Sequence, residues 1–465
     1  VFSAWHPLWV GGPAHAQLGD DLVRHGLEYL NTDFPTATAF PDGESGFLLR
    51  PADGNAAELG AEWPGMLASF FPHADLAFGI LGTELWSRHG AGLAAKAMRR
   101  FGPAGARDFT AQLLISARDW LEGTFASSRA HGVLAPWVLH TGLGPDAAGS
   151  GYMAQVIAVA VQEGGMPIPR GGGAKLADAL VSYIREQGGT CETGVHVERV
   201  SSGGVRTADG RKLTAERAVV CNVTPTQLYT ELLDGLAHKA EKFRYGRSEM
   251  QIHFALSEPP VWKGDDRLGR TAIVHLTPGL DGVSRAVNEA ERGLLPAEAT
   301  VVVGQPLTMD ESRAPEGKGL LWIQLQELPW RIKGDAAGEL DVGDGTWTDE
   351  LRERYADRIQ ARLAQHISNL DGSVITRTCL SPADLAEANV NLVHGDPYGG
   401  SLTLDQNFLW RPQHKTPVEN VWLVGASTHP GPGLGGGSGT LVAEQLLMPT
   451  WVRGVAARFT RPRPA

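Results

Sequence analysis

The stretch Val421-Trp-Leu-Val-Gly-Ala-Ser-Thr-His-Pro-Gly-Pro-Gly-Leu-Gly-Gly-Gly-Ser-Gly-Thr-Leu-Val-Ala-Glu-Gln-Leu-Leu447 changes character twice in one short span. Val421 to Val424 are an unbroken apolar run, as in a strand covered on both faces. Gly425 and Ala426 keep the end of that strand free of bulk, and Gly435, Gly436 and Gly437 let main chain approach a ligand before Thr440 to Leu447 continue as helix. A helix N-terminus carries unpaired N–H groups and a partial positive charge, so an anionic group is stabilised there. Strand, glycines and helix in this order have the geometry of a cofactor site. The plain alternative is a glycine-rich surface loop, which less commonly continues a fully apolar strand.

The other 400-odd residues must supply the cores around that site. At 465 residues, 42% hydrophobic and 20% charged, the chain is an ordinary globular composition with room for two or three cores. A formal net charge of -11 argues against a grip on nucleic acid or anionic lipid, and only the short tail Arg458 to Arg463 offsets it locally. Cys191, Cys221 and Cys379 are widely spaced, which gives neither a disulfide framework nor a Cys-pair metal motif and suits a reducing, cytoplasmic compartment. No apolar run reaches the roughly 18 to 20 residues of a bilayer span, although peripheral membrane contact stays open.

Periodicity divides the chain. Ala57 to Phe71, Leu81 to Arg100, Ala106 to Ala126 and Gly151 to Glu163 read as helices broken by prolines. Gly171-Gly-Gly173 precedes a helix over Ala174 to Gln187, with Leu176, Leu180, Tyr183 and Ile184 on its apolar face and Gly188-Gly189 ending it. Val195 to Val200, a hairpin turn at Asp209-Gly210, and Ala218 to Cys221 read as strands, as do Met250 to Leu256, Thr300 to Gly304 and Gly319 to Gln324. Asp349 to Leu370 reads as a long helix.

The opening stretch is preceded by Thr416-Pro-Val-Glu-Asn420, and upstream lie His394-Gly-Asp396, Leu404-Asp-Gln406, Arg411-Pro412, Ser312-Arg-Ala-Pro-Glu-Gly-Lys318 and Cys221-Asn222 with Pro225. In this order and spacing, together with Gly171-Gly-Gly173, the chain resembles the phytoene dehydrogenase-like, or carotenoid-desaturase-like, FAD-dependent oxidoreductases from about residue 1 to 447. The resemblance implies an α/β fold. A Rossmann-like FAD/NAD(P)-binding domain would be assembled from the discontinuous segments 1–50, 165–240 and 415–465, with a mixed α+β substrate domain from 51–164 and 241–414. It implies noncovalent FAD and removal of two hydrogens from an apolar small molecule, with hydride passing to flavin N5 and a C=C or C=N bond forming. A flavin-dependent isomerase or saturase, or a non-enzymatic flavin-fold interaction protein, are the alternatives.

One departure is large. The family's N-terminal strand, Gly-x-Gly-x-x-Gly, helix and acidic strand end are absent from this sequence. The expectation is that an N-terminal fragment or a second subunit completes the FAD site, and that the hydrophobic Val1 to Trp9 packs against it.

By resemblance, Gly425, Ala426, His429, Pro430, Gly431, Gly435, Gly436 and Gly437 lie along the flavin, Val197 lies beside the adenine, and Cys221 and Asn222 close the same pocket. His429, His394, Asp396 and Arg411 are the polar residues placed nearest the chemistry; a histidine, with an unperturbed pKa of about 6.5, can donate a hydrogen bond or carry a proton. Each has a structural alternative, as have Trp5, Trp9, Trp262, Trp330 and Trp410, which line a tunnel or fill the core. No metal site is expected, and without His-Glu-x-x-His, Cys-x-x-Cys or an identifiable Ser-His-Asp order the hydrolytic reading falls away.

Overall fold

The computed structural model describes residues 5–433 and 435–448. Its largest element is a seven-stranded mixed sheet made from β1 (Thr36–Ala39), β2 (Ser45–Leu48), and later strands of the chain. Between them come β3 (Val197–Ser201), β4 (Gly204–Thr207), β5 (Lys212–Thr214) and β6 (Val219–Cys221), which stay outside this sheet. The remaining members are β7 (Ser248–Leu256), β8 (Ile273–Leu276), β9 (Val301–Gly304), β10 (Gly319–Leu328) and β11 (Val374–Leu380), in the order β11-β7-β10-β9-β8-β1-β2. Every neighbour pair is antiparallel except β8 with β1.

Side chains alternate across a strand, so this sheet has two distinct faces. On one, Met250, Ile252, Phe254 and Leu256 of β7 lie beside Leu321, Ile323 and Leu325 of β10, with Val274, Leu276, Val301, Val303, Ala37 and Phe47, all buried in a single cluster. A helix over Asp349–His366 covers them with Leu351, Tyr355, Ile359 and Leu363. It begins where Thr348 accepts a hydrogen bond from the Leu351 N–H. Burying each of these aliphatic side chains is worth about 1.5–3 kcal/mol. The opposite face carries Glu249, Gln251, His253, Trp322, Gln324, Gln326, His275, Thr36 and Thr38. Helix Ser128–Leu134 and the turn Ala135–Thr141 lie over it: the Thr38 hydroxyl donates to Gly132 O, and Trp137 meets His275 edge-on at 5.2 Å.

The second region contains the antiparallel β3-β4-β5 sheet and a parallel pair of β6 with β12 (Val421–Leu423). Helices α1 (Pro7–Val10), α2 (Pro13–Arg24) and α3 (Ala174–Glu186) pack on one another, and α4 (Gly437–Leu447) packs on α2 and, through Val442 and Leu446, on Trp422 and Val424. Leu176, Leu180 and Tyr183 of α3 do face α2, but Ile184 is 42% exposed and lies off that face.

Within 1–50, β1 and β2 pair with each other, and β1 pairs with β8 in the large sheet. One expectation needs correction. Trp5 and Trp9 do not await another polypeptide. They are 4% and 5% exposed, Trp5 against Trp322 at 5.3 Å between rings and Trp9 among Ala14, Leu22, Leu27 and Ala179. Residues 1–4 of that stretch lie outside the described residues.

Candidate functional site

The β6–β12 pair aligns Cys221 with Leu423, and the Val424 N–H donates to Cys221 O at 2.9 Å. Asn222 and Gly425 therefore leave the same carboxyl edge of a parallel pair, where α/β proteins bind ligands. They are close enough that a Cβ on Gly425, at φ +107°, would lie 2.2 Å from Asn222 Oδ1. Val197 joins Cys221 in one hydrophobic cluster, and burial raises the Cys221 thiol to about 11, which makes it a packing group rather than a nucleophile.

Beyond Gly425 the chain is held by a buried polar relay that the sequence does not announce. Ser438 Oγ accepts the Gly425 N–H at 3.0 Å, lies 2.7 Å from Thr428 Oγ1 and 3.2 Å from His414 Nε2, while His414 Nδ1 lies 2.7 Å from Glu84 Oε2. Burial works to raise the Glu84 carboxyl, and His414 overrides it and holds the group below its ordinary value. These residues form the Ser, His and acid order that sequence reading did not identify, because Glu84 and Ser438 lie more than 300 residues apart. The serine is buried and engaged by a backbone N–H, so the relay positions the strand end and is not a hydrolytic site.

Two of the residues placed nearest the chemistry keep a buried side-chain atom without a partner, Arg411 at Nε and His429 at Nδ1. The His429 Nε2–H donates to Ile80 O at 2.9 Å, which leaves Nδ1 as an acceptor, buried and without a partner; burial lowers its pKa and keeps the ring neutral. Pro430, joined to it by a cis peptide, packs against Gly437 at the start of α4. Asp396 is fully buried, and its carboxylate accepts the N–H groups of Gly246, Tyr398 and Gly400. Arg411 donates to Ser401 O, Tyr398 O and Ala426 O at 3.0, 3.1 and 2.5 Å. Both residues brace loop 396–401 against Ala426, a positioning role. His394 lies apart, stacked on Trp330 at 5.1 Å with its carbonyl accepting from Ser248 Oγ, and burial lowers its pKa.

The glycine loop faces its own chain as well as the strand end. A Cβ on Gly435 would lie 3.2 Å from Leu8 O, and one on Gly436, at φ +66°, would meet Ala14 and Trp9 at 2.8 and 3.2 Å. Gly431 meets Leu402 instead, at 3.6 Å. Trp262 is core, bonded to Gln305 Oε1 at 2.8 Å, and Trp410 is 59% exposed.

Helices packed on a mixed sheet, with a glycine turn leaving a parallel strand edge, define an α/β fold of the FAD/NAD(P)-binding Rossmann-like type. The structure superposes on putrescine oxidase bound to putrescine with a TM-score of 0.54 at 14% identity, covering 94% of this chain and 86% of that one. An oxidoreductase from Methanosarcina mazei gives 0.53 at 14% identity over 96% and 87%.

Residues 13–447 match the flavin containing amine oxidoreductase family, and the chain belongs to it. It is 29% identical over 301 residues to a lycopene-forming phytoene desaturase of a Paracoccus species, covering 62% of this chain and 56% of that protein. A zeta-carotene-forming phytoene desaturase of Myxococcus xanthus is 27% identical over 312 residues, covering 63% and 54%. A mouse pyridine nucleotide-disulfide oxidoreductase domain-containing protein 2 is 24% identical over 337 residues, covering 65% and 55%. The chain thus spans about half the length of the curated relatives it matches. The family's cofactor is a flavin, and FAD is the cofactor of this protein. The unpartnered His429 Nδ1 beside the Gly425 turn and the N-terminus of α4 fit the ring half of that group. The one Gly-x-Gly-x-x-Gly in the sequence, Gly431-Pro-Gly-Leu-Gly-Gly436, lies before α4 and belongs to the ring half, and no strand, glycine turn, helix and acidic strand end for its pyrophosphate precedes it.

Proposed function

We propose that the protein is an FAD-dependent oxidoreductase that removes two hydrogens from a small molecule with an apolar body, forming C=C or C=N. The observation that carries the reading is the close approach of Asn222 and Gly425 at the carboxyl edge of one parallel strand pair. When bound, FAD supplies the two-electron acceptor at its N5. The chain's own residues do the rest. Gly425, Ala426, His429, Pro430 and Gly431 offer backbone and a neutral imidazole to the flavin ring, with Gly435 to Gly437 bounding that loop. Val197, Cys221 and Asn222 wall the adenine side.

In this reading the FAD-binding part of the molecule takes 1–50, 165–240 and 415–465, and the substrate part takes 51–164 and 241–414. In this reading an N-terminal fragment or a second subunit completes the FAD site, and what supports it is that the given sequence has no strand, Gly-x-Gly-x-x-Gly, helix and acidic strand end in that order. No helix among the described residues is long and apolar enough to cross a membrane, and a cytoplasmic location is part of the proposal.

The test is the visible spectrum of the purified protein, followed by acid precipitation. Flavin absorption bands that move into the supernatant are expected. Colourless protein, or flavin that stays with the pellet, refutes noncovalent FAD binding.

A further inference from the structure

Gly425, at φ +107°, follows β12, and both of its backbone polar groups end in one buried circuit. Glu84 Oε2 lies 2.7 Å from His414 Nδ1, His414 Nε2 lies 3.2 Å from Ser438 Oγ, and Ser438 Oγ lies 2.7 Å from Thr428 Oγ1. Ser438 Oγ also accepts the Gly425 N–H at 3.0 Å, and the Thr428 hydroxyl donates to Gly425 O at 2.9 Å. His414, Thr428 and Ser438 are all buried, so water does not stand in for a missing partner.

Each of these five contacts needs one proton between its two heavy atoms. The Gly425 N–H, the two hydroxyls and an imidazole with a single N–H supply only four. A carboxylate accepts and does not donate, so with a neutral His414 one contact would set two acceptors face to face in the interior, which is costly. A second ring proton completes the circuit: Nδ1–H donates to Glu84, Nε2–H to Ser438, Ser438 to Thr428 and Thr428 to Gly425 O. The Glu84 side chain is 20% exposed and gives that proton a path to water. Around the couple, burial keeps the facing His429 neutral, Arg411, lowered to about 10, keeps its charge at neutral pH, and Lys415 lies over the Trp422 ring at 5.5 Å.

We propose that Glu84, His414 and Ser438 are positioning residues for the flavin: His414 stands as an imidazolium in the folded protein, and loss of its second ring proton to water loosens the Gly425 turn. With that proton gone, either the His414–Ser438 bond or the Thr428–Gly425 bond is lost. Flavin binding is accordingly tighter on the acid side of the proton loss and weaker on the alkaline side. The inference rests on the oxidoreductase reading for the Gly425 turn as flavin site, whereas the proton count rests on the circuit alone.

The experiment measures FAD dissociation constants for the full chain by equilibrium dialysis from pH 6 to pH 9. Wild-type binding is expected to weaken about tenfold or more across that range, as one buried charge-assisted bond is lost. His414→Gln, whose amide can donate to Ser438 without titrating, is expected to flatten the profile, and Ser438→Ala to bind FAD about tenfold more weakly at pH 6. A flat or opposite wild-type profile overturns the proposal, as does a slope that survives in His414→Gln and so belongs to other groups such as Glu249. Hydrogen exchange read by mass spectrometry on the flavin-free chain tests the circuit without the cofactor. At one pH, segment 424–431 is expected to exchange about tenfold faster in Ser438→Ala than in the wild type, with 349–366 unchanged. Equal exchange of 424–431, or a rise shared by 349–366, overturns the proposal. Should His414→Gln fail to fold, the wild-type profile and Ser438→Ala still decide. Failure to bind FAD at any pH refutes the oxidoreductase reading, and the exchange comparison then judges the circuit.

Discussion

The two faces of the seven-stranded sheet are made by the same strands and the same hydrogen-bond ladder, yet they differ in almost every other respect. One face is aliphatic and sealed by the Asp349–His366 helix. The other is carboxyl, carboxamide and imidazole, covered by a turn and a loop distant in sequence. A period of two lets one strand serve both faces, so a hydrocarbon core and a bonded polar layer are built from alternate residues. Substitutions one position apart should therefore behave differently.

The strongest contrast is Ile323→Asp. An unpaired charge among Ile252, Leu321 and Tyr355 is expected to destabilise by about 4 kcal/mol or more, and denaturant unfolding should show no folded baseline or a sharply lowered midpoint. Leu363→Ala on the covering helix should cost about 3 kcal/mol by the same measurement. If either variant unfolds like the wild type, the aliphatic face is not the main store of stability.

The glycine loop provides a second boundary. Gly436→Val places a β-branched residue at φ +66° with its Cβ 2.8 Å from Ala14, so a loss of about 2 kcal/mol and of flavin retention is expected. Full flavin content by absorbance would show that the loop can shift.

On the polar face the effect is one of pH. Burial pushes Glu249 up to about 7 from 4.5, as it does Glu327 near Tyr355 and Arg362 of the covering helix, so the folded protein binds more protons than the unfolded chain between those values. Their contribution to stability is fully present below pH 4.5 and is lost as pH rises through 7. Glu249→Gln should flatten that fall, measured as the difference in unfolding midpoint between pH 5 and pH 8. An unchanged slope would place the titration elsewhere. Smallest of all, Gln324→Leu should cost only about 1 kcal/mol, the net worth of its bond to Glu249, in contrast with its neighbour Ile323.

Local signals were read well where the local pattern decides the outcome. Gly171 to Gly173 and Gly188 bound a helix over Ala174–Glu186, and the alternation from Met250 to Leu256 is a strand. Gln251 and Gln324 were opaque for a physical reason: in an alternating strand, glutamines read as the solvent side, and only Tyr398 and the 135–141 turn, far along the chain, make that side interior. The same distance hid the Glu84–His414–Ser438 relay. The approach of Asn222 to Gly425 was not legible either, since the two lie far apart in the chain and neither shows it alone. Asp396 and Arg411 were legible as important but not as braces, since their partners are backbone groups without side-chain identity.

The parallel pairing of Val219–Cys221 with Val421–Leu423 also sets an order of events during synthesis. Strand β6 leaves the ribosome about two hundred residues before its only ladder partner among the described residues. The antiparallel neighbours of the large sheet, from β7 to β10, can join long before that. Contacts closed over such long loops form late. The edge proposed to receive the flavin is thus a late seam of the molecule, and a ribosome stalled before residue 421 would hold a nascent chain with every strand of the large sheet made and that edge still open.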